Sequence, residues 1–422
     1  MTVIGLDDTD SKEEGLCTTY VAAKIADGLE KQGAAVERCL LVRCNPAVEH
    51  KTRGNAALSV HTDADPVLAM DVLEAALTAA RTDDPATNPG GVVAPGNPAE
   101  VPEAVAGFAS DAVCDILDVD TALTHAVEAG YETISLGNGR GVIGALAAVG
   151  AYRAFEEWTH ECIAYRERDR WGTERTVDRD SVFAAAEGAY PAAWDSVDRV
   201  EGHAVCVPRT PCPVLHAIRG EDPAVVKSVS RAIEGEPVAE RASFVTNQGT
   251  DAHLSRVDAA ANVVDGRSFR LTATVSNRPE TGPGGHVFFS VEDGSAELDC
   301  VAFEPTKRFR DHVRALRPGD CVTVCGEVGE GTLKLEKFAL RDRVETVAAT
   351  PECPECGRSM TSAGRNQGYR CRDCGTAASA KVERPVERAI DPGWYEVPPC
   401  ARRHVAKPLV RGDFDAPVHP ER

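Results

Sequence analysis

Val3-Ile4-Gly5-Leu6-Asp7-Asp8-Thr9-Asp10-Ser11, continued by Gly15-Leu16-Cys17-Thr18-Thr19-Tyr20, is a short apolar strand-like run that ends in a carboxylate-rich turn and gives way to a helical pattern. Val21, Ile25 and Leu29 recur at helical spacing behind Thr18 and Thr19, and residues 37–44 and 56–61 read as strands. Strand and helix signals keep alternating to about residue 155, which predicts an α/β domain. A second mixed segment, with strands at 204–207, 216–219 and near 243–246 and a helix over 223–233, fits a small ferredoxin-like α+β unit. Residues 267–276, 286–292 and 296–303 alternate like strands, 304–316 reads as a helix stopped by Pro318-Gly319, and 321–327 and 332–338 complete five strands. Three strands, a helix and two strands is the order of an OB-fold β-barrel, which binds single-stranded nucleic acid in many proteins and in others only packs between domains. Arg308, Arg310 and Arg314 beside Phe303 and Phe309 favour binding. The division drawn from these signals is 1–160, 161–258, 262–345, a short cysteine-paired segment at 350–380 and a C-terminal tail at 381–422. Residues 81–107, rich in Pro, Gly, Ala and Asp without periodicity, read as a mobile surface loop.

The 422 residues suffice for several separate cores, and 43% hydrophobic content excludes a disordered chain. Against 46 Lys+Arg stand 66 Asp+Glu, a formal net charge of -20. The charge is uneven: residues 301–422 hold 21 Lys+Arg and 18 Asp+Glu, leaving 25 and 48 for residues 1–300. An averaged charge therefore does not exclude a nucleic-acid partner. Ten lysines, 5% aromatics and abundant Asp and Glu resemble salt-adapted proteins. In concentrated salt, phosphate recognition must rest more on shape, stacking and hydrogen bonds. Residues 1–7 carry neither the basic start nor the apolar core of a signal peptide, and no apolar run approaches the roughly 18 residues of a membrane span. A soluble, cytoplasmic protein without a membrane partner is the expectation, and its fifteen cysteines suit metal ligands and free thiols better than disulfides.

Four constellations could carry chemistry. Cys353-Pro-Glu-Cys356 and Cys371-Arg-Asp-Cys374, with Gly357 and Gly375 after each pair, have the spacing of a four-thiolate structural Zn²⁺ site with no open position for catalysis. Asp7, Asp8 and Asp10 after a strand could hold Mg²⁺ on nucleotide phosphates, or be an acidic turn in an acidic protein. Thr18 and Thr19 open a helix whose free N–H groups suit phosphate, and Thr18 also reads as an ordinary N-cap. Arg43-Cys44-Asn45-Pro46 followed by Lys51-Thr52-Arg53-Gly54-Asn55-Ala56 is either an anion clamp or a solvated turn. Gly139, Gly141 and Gly144 match a dinucleotide fingerprint in form only; the turn around Arg140 allows close backbone approach, to phosphate, to RNA or to the protein itself.

Taken together, the Gly-Leu-Asp-Asp-Thr-Asp-Ser start, the Cys-Thr-Thr-Tyr motif, Asn-Pro with Lys-Thr-Arg-Gly-Asn-Ala-Ala, the glycine turn, Thr246-Asn247-Gln248-Gly249-Thr250-Asp251 with His253, the OB-fold and the zinc ribbon strongly resemble the archaeal tRNA(Ile) 2-agmatinylcytidine synthetase (TiaS) family, over nearly the whole chain. The resemblance implies a kinase-like ATP-dependent catalytic domain at 1–160. It implies a ligase that attaches agmatine to C2 of the wobble cytidine in a CAU-anticodon isoleucine tRNA, which then decodes AUA; ATP ends as AMP and two phosphates. It implies that Asp7, Asp8 and Asp10 hold Mg²⁺ and ATP phosphates, that Thr18 is autophosphorylated, and that cytidine O2 is phosphorylated before the agmatine amine displaces phosphate. Thr9, Ser11, Cys17, Thr19, Lys51, Arg53, Gly139, Arg140 and Gly141 are the expected ATP-binding residues. The competing expectation is a non-catalytic single-strand binder using the OB-fold and ribbon, which leaves the first 250 residues unexplained.

Overall fold

A computed structural model describes residues 1–11, 16–49, 54–80, 84 and 86–422. Its first layer is a nine-stranded sheet built from β1 (Thr2–Asp7), β2 (Val36–Arg43), β3 (Ala56–Thr62), β4 (Gly90–Pro95), β5 (Glu132–Ser135), β6 (Thr159–Arg166), β7 (Ala193–Trp194), β8 (Val214–Gly220) and β9 (Val238–Thr246), in the order β5-β4-β1-β3-β2-β9-β6-β8-β7. Successive residues of its central strands feed opposite faces, as the pleat requires. Val3, Leu40 and Ala57 enter the core under α3 (Glu103–Cys114), α4 (Val119–Glu128) and α5 (Gly141–Ala154), whereas Ile4, Leu41 and Leu58 enter the core under α1 (Thr18–Lys31) and α2 (Pro66–Thr78). Helix α5 is small and apolar on every side, with an unbroken buried run from Gly144 to Ala151, as befits a helix sandwiched between sheet and further helices.

The second half of the sheet runs β6, α6 (Arg179–Ala189), β7, β8, α7 (Pro223–Ala232), β9, with β6 between β9 and β8. This βαββαβ order is the ferredoxin-like unit. Its expected strand at 204–207 does not form; only His203 bridges, to Asp198. The two halves share one sheet because β2 and β9 pair in parallel, Leu40 with Val245 and Leu41 with Thr246.

The loop expected at 81–107 is corrected by the structure. Among its described residues β4 is a buried strand, antiparallel to β1 over Thr2–Asp7, and α3 begins at Glu103. Its glycines report tight packing: a Cβ on Gly90 would lie 2.1 Å from the Gly141 carbonyl carbon, and one on Gly91 2.7 Å from Leu73. Composition alone could not separate these glycines from those of a loop.

The barrel has its five strands at Ser268–Val275, Val287–Glu292, Glu297–Ala302, Cys321–Gly329 and Thr332–Asp342, closed by parallel pairing of the third with the fifth. The helix expected over 304–316 is shorter, a turn at Glu304–Thr306 and a helix at Phe309–Arg314, broken where Lys307 adopts a φ of 52°. Residues 381–422, expected to be a tail, return to the body. Gly393–Glu396 adds a strand to the barrel, with Trp394 and Tyr395 buried, and the chain then crosses to the sheet. There the Thr246–Asp251 motif grips it: Gly249 N–H donates to the His404 carbonyl at 2.8 Å, and Thr250 and Asp251 N–H both donate to that of Val405. Arg402 ties the units together by pairing with Asp195 and, at 2.8 Å, Glu396. Among the described residues no helix is long and apolar enough to cross a membrane.

Candidate active site

Asp7 closes β1 and Asp8 takes a φ of 57°, left-handed backbone that aspartate tolerates better than most residues. The resulting turn sets Asp7, Asp8 and Asp10 around one cavity of about 170 Å³, into which Thr18 and Arg140 also face, with Ile116 and Ile143 on its apolar side. Asp10 organises the start of α1: its Oδ1 accepts the Thr18 N–H at 2.5 Å and the Thr18 hydroxyl at 2.9 Å. Cys17, at the N-cap, makes no side-chain capping bond, so Asp10 supplies from across the turn the acceptor and the negative charge that a helix N-terminus favours. Thr9 donates its hydroxyl to Thr18 Oγ1 at 3.1 Å, which fixes that oxygen from a second side.

Arg140, on the turn before α5, donates from Nε to Asp8 at 2.7 Å and from a second nitrogen to the Ala86 carbonyl. Sequence reasoning missed two supports lying in the supposed loop. Thr87 donates its hydroxyl to the Asp10 carbonyl at 2.6 Å, and Asn88 Oδ1 accepts the Asn138 N–H at 2.9 Å. Both side chains are buried polar groups, but nothing local to 81–107 signals that burial.

Burial, then the neighbouring charges of Asp8 and Asp10, raise the Asp7 carboxyl well above the usual carboxylate range, against the pull of Arg140. Burial raises Asp8 as well, although Arg140 opposes it. Crowded carboxylates of this kind favour a proton or a cation among them. Oxygen donors of negative charge suit a hard divalent ion such as Mg²⁺, so the donor chemistry of these residues fits a metal that carries phosphates, although their oxygens do not converge as the ribbon's four sulfurs do.

Of the glycine turn, Arg140 and Gly144 line the cavity, whereas Gly139 and Gly141 do not. A Cβ on Gly144 would lie 2.0 Å from Asp7 Oδ2, and one on Gly141 2.4 Å from the Asn88 carbonyl oxygen. Gly139 takes a φ of 84° at the turn itself. Thr9, Ser11 and Thr19 are buried, and Cys17 contacts the Thr19 hydroxyl at 3.1 Å. None of these four lines the cavity. Gly15, Lys51 and Arg53 fall outside the described residues.

The sulfurs of Cys353, Cys356, Cys371 and Cys374 converge within 4.8 Å of one another. Gly357 and Gly375, with φ of 70° and 74°, make the two knuckles, their N–H groups returning to the carbonyls of Cys353 and Cys371. Four thiolates so disposed make a closed, tetrahedral, structural zinc site.

Fold and site together define a multidomain protein in which a carboxylate and threonine pocket of an α/β layer is joined to an OB barrel and a zinc ribbon. Family profiles divide it in the same sense: a TiaS TCKD domain matches residues 3–138, a TiaS FLD domain 139–253, an OB-fold nucleic acid binding domain 269–340 and a TiaS C-terminal zinc ribbon domain 350–390. A relative from Haloquadratum walsbyi, the isoleucine-tRNA 2-agmatinylcytidine synthetase TiaS, is 50% identical over 100% of both chains. A crystal structure of TiaS in complex with isoleucine tRNA and ATP superposes with a TM-score of 0.88 at 41% identity, covering 100% of this chain and 99% of that one. A complex of TiaS with isoleucine tRNA, AMPCPP and agmatine gives 0.87 at 39%, with coverage of 100% and 99%. The chain belongs to the TiaS family of isoleucine-tRNA 2-agmatinylcytidine synthetases.

Proposed function

We propose that this protein is an ATP-dependent ligase that attaches agmatine to C2 of the wobble cytidine of CAU-anticodon isoleucine tRNA, forming 2-agmatinylcytidine so that the tRNA decodes AUA. The observation that carries this is the Thr18 hydroxyl held by Asp10 and Thr9 in the cavity that Asp7 and Asp8 line. Relatives crystallised with isoleucine tRNA, ATP and agmatine support it.

In this reading Asp7, Asp8 and Asp10 bind Mg²⁺, which neutralises and aligns the ATP phosphates. Thr18 receives a phosphoryl group: its Oγ1 bonds to phosphorus, the bond to the bridging phosphate oxygen breaks, and Asp10 Oδ1, 2.9 Å away, accepts the hydroxyl proton. Thr9, Ser11, Cys17 and Thr19 support the phosphate side, joined by the Gly139-Arg140-Gly141 turn, Lys51 and Arg53. A urea-like oxygen leaves poorly until it is phosphorylated, so cytidine O2 first takes a phosphoryl group from the nucleotide, whose bridging P–O bond breaks; the agmatine amine then attacks, C2–N forms and C2–O breaks, releasing phosphate. The amine attacks only after losing its proton, so single-turnover rate rises with pH. The barrel and the ribbon take the RNA, zinc serves only the ribbon's fold, and the protein works in the cytoplasm through 1–160, 161–258, 262–345 and 350–380, with 381–422 packed back on the barrel and the sheet.

Mass spectrometry of the wobble nucleoside after incubation with ATP and agmatine tests the reading directly. Asp8→Asn should lower modification by about 100-fold or more, the scale of losing one electrostatic contact at a transition state. Undiminished modification by that variant would sink the metal-site assignment.

A further inference from the structure

Arg43 ends β2 beside the catalytic cavity, and its charge is not neutralised by any carboxylate among the described residues. Asn247 pins its backbone from both sides, accepting the Arg43 N–H at 2.7 Å and donating to its carbonyl at 3.0 Å. Among the described residues the guanidinium makes one hydrogen bond, from Nη1 to the Gly54 carbonyl at 2.9 Å, and its buried Nε finds no partner there. Glu161 acts on it through space, but the Glu161 carboxylate is engaged by Gln248 at 2.6 Å. A half-buried cation with a buried, idle donor is costly unless an anion comes to it.

Arg43 faces a cavity of about 120 Å³ that adjoins the catalytic one, sharing Cys44 and Asn55 with it. The opposite wall is His404 and Arg403 of the returning C-terminal segment. The charge of Arg403 is already met by Glu327 and Glu336, and His404 stands beside the like charges of Arg43 and Arg219. No carboxylate lines this cavity among the described residues, in a chain with 66 Asp+Glu. Gly54 also makes room for the guanidinium: a Cβ there would lie 2.4 Å from Arg43 Nη1.

We infer that Arg43, with Asn55 and His404, forms a phosphate subsite next to the catalytic cavity, one wall of which the C-terminal segment supplies. The phosphate comes either from the nucleotide or from the RNA backbone flanking the reacting base. The inference rests on the ligase reading above.

Arg43→Gln and Arg43→Lys in the full chain test it. If the nucleotide supplies the phosphate, Arg43→Gln raises the KM for ATP about tenfold and leaves tRNA affinity unchanged. If the RNA supplies it, tRNA affinity falls about tenfold, the salt slope shallows by about one, and the ATP KM holds. Arg43→Lys keeps a point charge without the fork and should recover part of the same constant. Because the removed charge meets no carboxylate among the described residues, Arg43→Gln should melt no lower than wild type without ligands. Inorganic phosphate at matched ionic strength should raise the melting temperature of wild type and leave that of Arg43→Gln unmoved. Both binding constants within twofold of wild type, or a lower Tm as the sole effect, would overturn the subsite. Failure of the ligase reading shows separately, as wild-type protein that leaves the wobble cytidine unmodified.

Discussion

At position 144 a hydrogen stands where a methyl group would lie 2.0 Å from Asp7 Oδ2. Gly144→Ala must therefore displace the carboxylate or shift α5, and misplacing a catalytic group by about 1 Å costs roughly 100-fold in rate. The expected outcome is a comparable fall in kcat with most of the fold retained, read by single-turnover modification beside far-UV circular dichroism; wild-type kcat would contradict it. The carboxylates at 7, 8 and 10 were legible in the sequence because a strand followed by acidic residues is a local pattern. The purpose of Gly144 was not, because its partner is distant in the chain and meets it only where α5 packs on β1. Thr87 and Asn88 escaped for the same reason, hidden in a stretch whose composition resembles a loop.

Helices and strands show where patterning succeeds and where it stops. Helix α1 and strands β1 to β3 follow from their periodicity, whereas β4 carries glycines for a packing reason and so mimics a turn. Between elements, Glu336 on the fifth barrel strand is a buried junction to the sheet, accepting from His253 at 2.9 Å and pairing with Arg403 at 2.8 Å. Burial alone would raise its pKa, but the charges of His253, Arg403 and Lys337 hold it down to about 2, against 4.5 for a free glutamate. A folded-state pKa below the unfolded one gives stability that is present above about pH 4.5 and lost as pH falls toward 2, on the order of 3 kcal/mol. Glu336→Gln should accordingly lower the melting temperature at pH 7, and the gap from wild type should close as pH approaches 2; a gap independent of pH would remove this role.

Over the whole molecule, zinc and salt act on different parts. The ribbon's small core is Cys353, Met360 and Cys371, separate from the barrel core, so chelation should unfold residues 350–380 and leave the barrel protected in hydrogen exchange. Loss of protection throughout the barrel would show that the two are one unit. The strongly acidic region 1–300 suits a salt-adapted surface and a cationic cosubstrate, and the near-neutral remainder carries the modules of RNA-binding type. Affinity for tRNA should therefore fall with salt by a log–log slope shallower than about -4; a steeper slope would mean that phosphate neutralisation dominates binding after all. The carboxylate turn, the paired cysteines and the strand order of the barrel can be read off the chain alone, because each is written in neighbouring residues. Folding in three dimensions adds that β2 and β9 fuse two units into one sheet, that 81–107 holds a core strand, that the C-terminal segment returns to the motif at 246–251, and that Arg43 meets no carboxylate among the described residues. Each of these depends on residues far apart in the chain, whose mutual burial and charge no local pattern records.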